Sequence, residues 1–232
     1  MKISVIIPCF NESNTIISIL KKVNLEKEKF NLEIIISDDG STDNTVKLLK
    51  ENSTMFDKLI ETKSNKGKGH ALRKGIEEST GDILLFQDAD LEYDPNDYSN
   101  LIKPFIENDA DVVYGTRFIS SSSRRIIYFS HRLANFLITT MVNFFTNINF
   151  SDVETGYKLV KKEAIKDIRL YENSFGIEIE ITMKISKLNL KVFEVGISYN
   201  GRTYNEGKNI TFKDGLIAYW LIIKYFFTSA HR

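Results

Sequence analysis

The sequence predicts an α/β fold on a mostly parallel sheet, and three observations carry that expectation. Short runs rich in Ile, Val and Leu alternate with segments of helical periodicity, the order expected of βαβ crossovers. The runs are apolar throughout rather than at every second residue, as in strands covered on both faces. No repeat, low-complexity tract or long linker divides the 232 residues, so one domain is expected over 1–232.

Taken in order, ISVIIP at 3–8 is the first strand and a helix follows from Thr15. LEIIIS at 32–37 is the second, and Thr42 or Asp43 caps the helix after it. DKLIE precedes the helix GHALRKGIEES, and DILLF precedes a helix after Pro95 in which Pro104 predicts a kink or a break. DVVYG closes this half as a fifth strand. From about Arg124 the character changes: SSSRR is short and basic, and Ile126, Phe129, Leu133, Phe136, Leu137, Thr140, Met141 and Phe144 form a broad stripe on one helical face. A strand TGYKLV, a helix FGIEIEITMKISKL, a strand KVFEVGISY, a loop GRTYNEGKN and a last helix DGLIAYWLIIKYFF complete the chain.

Composition removes several functions. Lys and Arg number 31 against 31 Asp and Glu, without the basic excess that a dedicated nucleic-acid binder needs. Hydrophobic residues at 42% exclude wholesale disorder. One Cys excludes a disulfide framework and a Cys-based zinc site, and three scattered His leave oxygen ligands, hence Mg²⁺ or Mn²⁺, for any metal. The first apolar run breaks at Pro8, too short for a signal peptide, and no run reaches the roughly 18 apolar residues of a membrane span. A cytoplasmic location is expected.

Ligands of parallel sheets bind at the carboxyl ends of the strands. Those ends carry Pro8 to Glu12, then Asp38-Asp39-Gly40-Ser41, then Asp88-Ala89-Asp90, then Gly115-Thr116-Arg117, which reads as one convergent site. Asp88 and Asp90 directly after a buried strand are costly unless a cation or hydrogen-bond donors compensate them; the alternative is that they cap the turn, but together they offer oxygens to a hard ion that also grips phosphate. Glu92 is a candidate third ligand. Asp38 or Asp39 can accept from a base N–H or from ribose hydroxyls. Lys68, in Asn65 to His70, places Gly and Lys at a helix N-terminus, which favours anions; His70 is either a diphosphate contact or a neighbour of the cap. GxxxxGK[ST] and GxGxxG are both absent, which argues against an ATPase, a GTPase or a dinucleotide oxidoreductase. Cys9 has no nearby His and reads as a small buried residue.

Pro8-Cys9-Phe10-Asn11-Glu12, Asp38 to Asp43, Asn65 to Gly69, Asp88-Ala89-Asp90 and Asp152-x-Glu154-Thr155-Gly156-Tyr157-Lys158 resemble the family 2, GT-A fold glycosyltransferases. Gly201-Arg202-Thr203-Tyr204-x-Glu206-Gly207-Lys208 is similar to the polyprenyl- and dolichyl-phosphate mannose or glucose synthases among them. The resemblance runs from Ile3 to about Phe227. It implies inverting, metal-dependent transfer of mannose or glucose from a GDP- or UDP-sugar to a polyprenyl or dolichyl phosphate. Residues 1–118 would bind the nucleotide sugar and 119–232 would face acceptor and membrane. Pro8, Phe10, Glu12, Asp38 or Asp39, Lys68, Asp88 and Ala89 would line the nucleotide pocket. Asp88, Asp90 and Glu92 would hold Mg²⁺ or Mn²⁺, although many mannose synthases of this type have Gln in place of Glu92. Arg117, Arg132, Arg202 and Lys208 would face phosphates. Asp90, Asp152, Glu154, Arg117 and Arg202 would be the catalytic set.

The acceptor decides whether a base is required. A phosphomonoester is largely dianionic at pH 7 and attacks without losing a proton, whereas a sugar hydroxyl of a glycan would need Asp152 or Glu154 as base. A non-catalytic donor-binding subunit would tolerate loss of Asp90, and a sugar nucleotidyltransferase would need a Gly-rich basic loop after the first strand, which is missing. The helices Ile126 to Phe145 and Leu216 to Phe227 read as interfacial, placing the enzyme on the cytoplasmic face of a membrane. The alternative is that one face packs on the core and the other mediates homo-oligomerisation; a membrane-anchoring partner is a further expectation.

Overall fold

All seven residues of β1 (Ile3–Cys9) are buried, as a strand flanked by two parallel neighbours and covered on both faces must be. In a computed structural model, residues 1–119, 125–126, 128–203, 206 and 212–229 are described. Among them β1, β2 (Leu32–Asp38), β3 (Lys58–Glu61), β4 (Ile83–Phe86), β5 (Val112–Thr116), β6 (Lys158–Lys161) and β7 (Val192–Gly196) form one sheet in the order β3-β2-β1-β4-β6-β5-β7. Every pairing is parallel except those of β6, which runs antiparallel to β4 and β5. The mixed sheet is thus mostly parallel, as expected.

The reversal of β6 decides where the site is built. Parallel strands deliver the residues that follow them to the carboxyl edge, whereas β6 delivers the residues that precede it, Asp152 to Gly156. β7 runs parallel to β5, so its continuation, Ile197 to Arg202, returns to the same edge.

Helices α1 (Ile16–Glu26) and α4 (Tyr98–Glu107) cover one face, where Ile16, Ile19, Leu20, Tyr98, Leu101 and Ile102 join β1 and β2 in one core. On the other face α3 (Lys68–Glu78), α5 (Phe129–Thr146), α6 (Ile177–Ile185) and α7 (Phe212–Phe227) build a second core around Ile6, Leu84, Phe86, Tyr114, Ile179 and Leu221. Each such aliphatic side chain contributes about 1.5–3 kcal/mol through burial. α2 (Thr45–Glu51) starts as the Asp43 carboxylate accepts from the Thr45 N–H at 2.9 Å. Pro104 does not break α4: it lies in the last turn and the helix continues to Glu107.

α5 and α7 turn apolar side chains outward. α5 buries Asn135, Ile138, Thr139 and Val142, while Phe129 is 76%, Phe136 62% and Phe144 81% exposed. α7 buries Ala218, Leu221, Ile222 and Tyr225 and exposes Leu216, Trp220, Ile223 and Phe227. The two helices pack together, with Phe145 and Phe226 rings 4.9 Å apart. No helix of the described residues is long and apolar enough to cross a membrane.

Candidate active site

A cavity of about 470 Å³ opens at the carboxyl edge of the sheet, in the size range of small-molecule sites. One side of it is made by the loops after β1 and β2. Asn11 takes a left-handed backbone (φ 56°), its N–H donates to Ser41 Oγ at 2.9 Å, and its Oδ1 accepts from the Thr42 N–H at 2.8 Å. Two loops are thereby locked together, with Pro8, Phe10 and Glu12 on the cavity wall.

Of the two adjacent acids after β2, Asp39 lines the cavity and Asp38 does not. Asp38 is buried behind the turn, where its carboxylate accepts from the N–H groups of Gly40 and Ser41 at 3.0 Å. Asp39 accepts from the Lys66 N–H at 2.8 Å and from Gly67, and its other oxygen lies 3.2 Å from His70 Nδ1. His70 therefore supports Asp39. Gly67 (φ 107°) is required because a Cβ there would lie 2.3 Å from the Asn173 carbonyl oxygen. Cys9 is buried, and burial together with Asp38 pushes its thiol well above the usual range, which leaves it inert at neutral pH.

Asp88 and Asp90 follow β4 and both face the cavity. Lys68 Nζ lies 2.7 Å from Asp88, and Arg202 Nη2 lies 2.6 Å from Asp90. Glu92 lines the cavity beside them. One of its oxygens accepts from the Tyr199 hydroxyl at 2.7 Å and the other from the Arg202 N–H at 2.9 Å, so it anchors the Arg202 loop. Burial, then Asp88 and Glu92, push the Asp90 carboxyl up against the pull of Arg202. A Cβ on Gly156 would sit 2.4 Å from Asp88 Oδ2, so any larger residue there would displace that carboxylate.

Asp152 and Glu154 precede β6 and divide the roles the sequence left open. Asp152 is fully buried and does not line the cavity; its two oxygens are held by Arg117, Nε at 2.7 Å and Nη2 at 2.6 Å. A general-base role is not available to a carboxylate committed in this way: it aims the guanidinium. Arg117 lines the cavity, with its guanidinium carbon 5.2 Å from the centre of the Tyr199 ring. Glu154 also lines the cavity and makes no hydrogen bond or ion pair among the described residues. Burial pushes its carboxyl up to about 7; Glu178 and Asp152 add to this, while Lys158 and Arg117 oppose it.

Arg132 is exposed, its guanidinium 5.9 Å from the Phe118 ring, and it does not line the cavity. Lys208 lies outside the described residues. Conversely, Tyr93, Tyr199, Glu178 and, from α7, Asp214, Ile217 and Ala218 line the cavity without having been singled out. The signal for Glu178 was present in IEIEITMKI, where acids, a Thr and a Lys alternate with apolar residues in a helix short enough to be buried on every face.

Charge bears on what the cavity can hold. Glu12, Asp39, Asp88, Asp90, Glu92, Glu154, Glu178 and Asp214 line it against Lys68, Arg117 and Arg202. Such an excess of acid repels a diphosphate unless a cation enters with it. Among the described residues no three His, Cys, Asp or Glu side chains are gathered to cage a metal ion, but Asp88 and Asp90 both bring hard oxygen donors to the cavity, which fits a Mg²⁺ or Mn²⁺ held by two carboxylates and completed by the phosphates it enters with.

The family model "Glycosyl transferase family 2" matches residues 4–169. The chain is 28% identical over 90% of its length to dolichol-phosphate mannosyltransferase of Pyrococcus furiosus, and 30% identical over 85% to dolichyl-phosphate beta-glucosyltransferase of Dictyostelium discoideum. It spans 61% and 66% of those two proteins. Among solved structures, glucosyl-3-phosphoglycerate synthase of Mycobacterium tuberculosis superposes with a TM-score of 0.76 at 17% identity, over 97% of this chain and 79% of that one. Another structure of that synthase holds Mn²⁺ and UDP-glucose and superposes with a TM-score of 0.73 at 18% identity, over 95% of this chain and 76% of that one. The fold is therefore the GT-A arrangement.

Proposed function

Because the chain belongs to glycosyl transferase family 2, we propose that it transfers mannose or glucose from a GDP- or UDP-sugar to a polyprenyl phosphate at a membrane surface, with inversion. The observation that carries this reading is α7, which lends Asp214, Ile217 and Ala218 to the cavity and turns Leu216, Trp220, Ile223 and Phe227 outward beside the exposed aromatic residues of α5. A phosphate on a long apolar chain is an acceptor that such a layout can receive, its chain on the lipid side and its head at the cavity.

In this reading Phe10, 40% exposed, offers its ring to the base, while Asp39 and Glu12 face the nucleoside. Asp88 and Asp90 would hold Mg²⁺ or Mn²⁺, which when bound supplies charge to the departing diphosphate. Lys68 adds an ammonium on the same side. Arg117, braced by Asp152, and Arg202, braced by Glu92, bring guanidinium groups to the acceptor phosphate. The bond from the anomeric carbon to the diphosphate oxygen breaks, one from that carbon to an acceptor phosphate oxygen forms, and the nucleoside diphosphate leaves. No proton need be taken from a dianionic acceptor.

Glu154 favours a second reading. A cavity carboxyl with no partner among the described residues and a proton held to about pH 7 is suited to general-base work on a sugar hydroxyl. Incubation with GDP-mannose or UDP-glucose, Mn²⁺ or Mg²⁺, and a short polyprenyl phosphate or a soluble glycan distinguishes the two. We expect glycosyl-phosphoryl lipid, lost in Asp90→Asn and without metal. Transfer to the glycan alone would replace the first reading with the second.

A further inference from the structure

Glu178 is an acid buried in the wall of a cavity meant for an anionic donor. It lies in the first turn of α6 and is 4% exposed. One of its oxygens pairs with Lys158 and the other lies 3.1 Å from Lys68 Nζ. Lys158 is wholly buried, donates to the Thr155 carbonyl at 2.6 Å and sits 5.2 Å from the centre of the Tyr114 ring. Lys68 Nζ in turn lies 2.7 Å from Asp88. Lys158, Glu178, Lys68 and Asp88 thus form a file of alternating charge that leads from the interior to the cavity.

Buried ions are retained only where partners offset their lost hydration. Burial works against the Lys68 charge, but Asp88 and Glu178 together keep the ammonium protonated. Asp88 alone would suffice to pair Lys68 in the free protein. The second carboxylate matters once Asp88 is shared, because a divalent ion on Asp88 repels an ammonium on the same carboxylate and would drive it into solvent.

We infer that Glu178 is a positioning residue, retaining the Lys68 ammonium beside the donor diphosphate when Asp88 turns to a divalent cation, with Lys158 neutralising Glu178 from behind. This rests on the donor-site reading proposed above. Lys158 keeps the donor phosphates from meeting a bare acid, and Glu178 keeps Lys68 from leaving.

The test is calorimetric binding of UDP and GDP to the full chain with Mn²⁺, alongside Mn²⁺ alone followed by the paramagnetic resonance of the free ion. Glu178→Gln should weaken nucleotide binding by about tenfold. Binding of Mn²⁺ alone should stay within about twofold. Lys68→Met should weaken nucleotide binding to the same extent, and the double variant no further, because both act through one ammonium. Glu178→Gln leaves Lys158 unpaired, so Glu178→Gln with Lys158→Met, which removes both charges, is measured in parallel with thermal melting. It should fold and still bind nucleotide weakly. Glu178→Asp, which keeps the charge, should recover part of the affinity. A folded Glu178→Gln/Lys158→Met protein with wild-type affinity overturns the inference, as do losses from Glu178→Gln and Lys68→Met that add. A wild-type chain that binds neither nucleotide with Mn²⁺ overturns the donor-site reading and this inference with it.

Discussion

At Glu154 the chain half-buries a carboxyl near Glu178, Asp152, Lys158 and Arg117 and gives it no hydrogen-bond donor among the described residues, so its proton is held to about pH 7. With a phosphate acceptor, whose second pKa is near 6, the neutral acid can donate to the phosphate, and its ionised form repels it. The expected profile of kcat/KM rises through about pH 6 and falls through about pH 7, and Glu154→Gln removes the falling limb while activity persists. A single limb rising through about pH 7, abolished in Glu154→Gln, would mark a hydroxyl acceptor instead. The same raised value fixes the sign for stability: the folded state holds this proton more tightly, so its contribution is full below about pH 4.5 and is lost as pH rises through about 7. Glu154→Gln should therefore stabilise the protein at pH 8 by about 3 kcal/mol, read as a rise in Tm. Residue identity alone made Asp88, Asp90 and Arg117 legible, because acids and an Arg directly after buried strands have few other uses. It did not separate Asp38 from Asp39 or Asp152 from Glu154, since neighbouring acids differ only in which hydrogen bonds the folded loops offer them.

At the level of elements, α3 shows how closely the cavity wall around Lys68 is built. The loop at Glu172 and Asn173 crosses its N-terminus, and a Cβ on Gly69 would lie 2.2 Å from the Glu172 carbonyl oxygen. Gly69→Ala should cost about 1–3 kcal/mol in chemical denaturation and weaken nucleotide binding, because Lys68 is the adjacent residue. Gly215 on α7 has nothing within 4 Å of the same point, so Gly215→Ala should stabilise the protein by about 0.5–1 kcal/mol through helix propensity. The periodicity of Ile, Val and Leu made the strands and most helices readable. The direction of β6 was not, because the four residues Lys158 to Lys161 read alike both ways and only the partners β4 and β5 decide it. That single orientation brings Asp152 and Glu154 to the edge where the parallel strands end.

Across the whole molecule, the apolar stripe of α5 was visible in the sequence as a helical face, and the structure turns it outward. Phe136→Asp with Phe144→Asp, both at exposed positions, should leave Tm and nucleotide affinity unchanged while reducing sedimentation with anionic phospholipid vesicles at least fivefold. Transfer to a long polyprenyl phosphate in those vesicles should fall in step, and transfer to a short detergent-dispersed acceptor should not. Unchanged sedimentation would return the stripe to the alternative of contact between copies of the chain. The arrangement of strands also bears on how the protein is made. Ile83 to Leu85 pair with Leu159 to Lys161, and Arg202 reaches Asp90 across 112 residues of sequence. Contacts this distant form late, after their loop-closure entropy has been met. A chain emerging from the ribosome can pair β1 with β2, and β2 with β3, long before the far wall of its cavity exists, so nucleotide affinity is acquired near the end of folding and measures its completion.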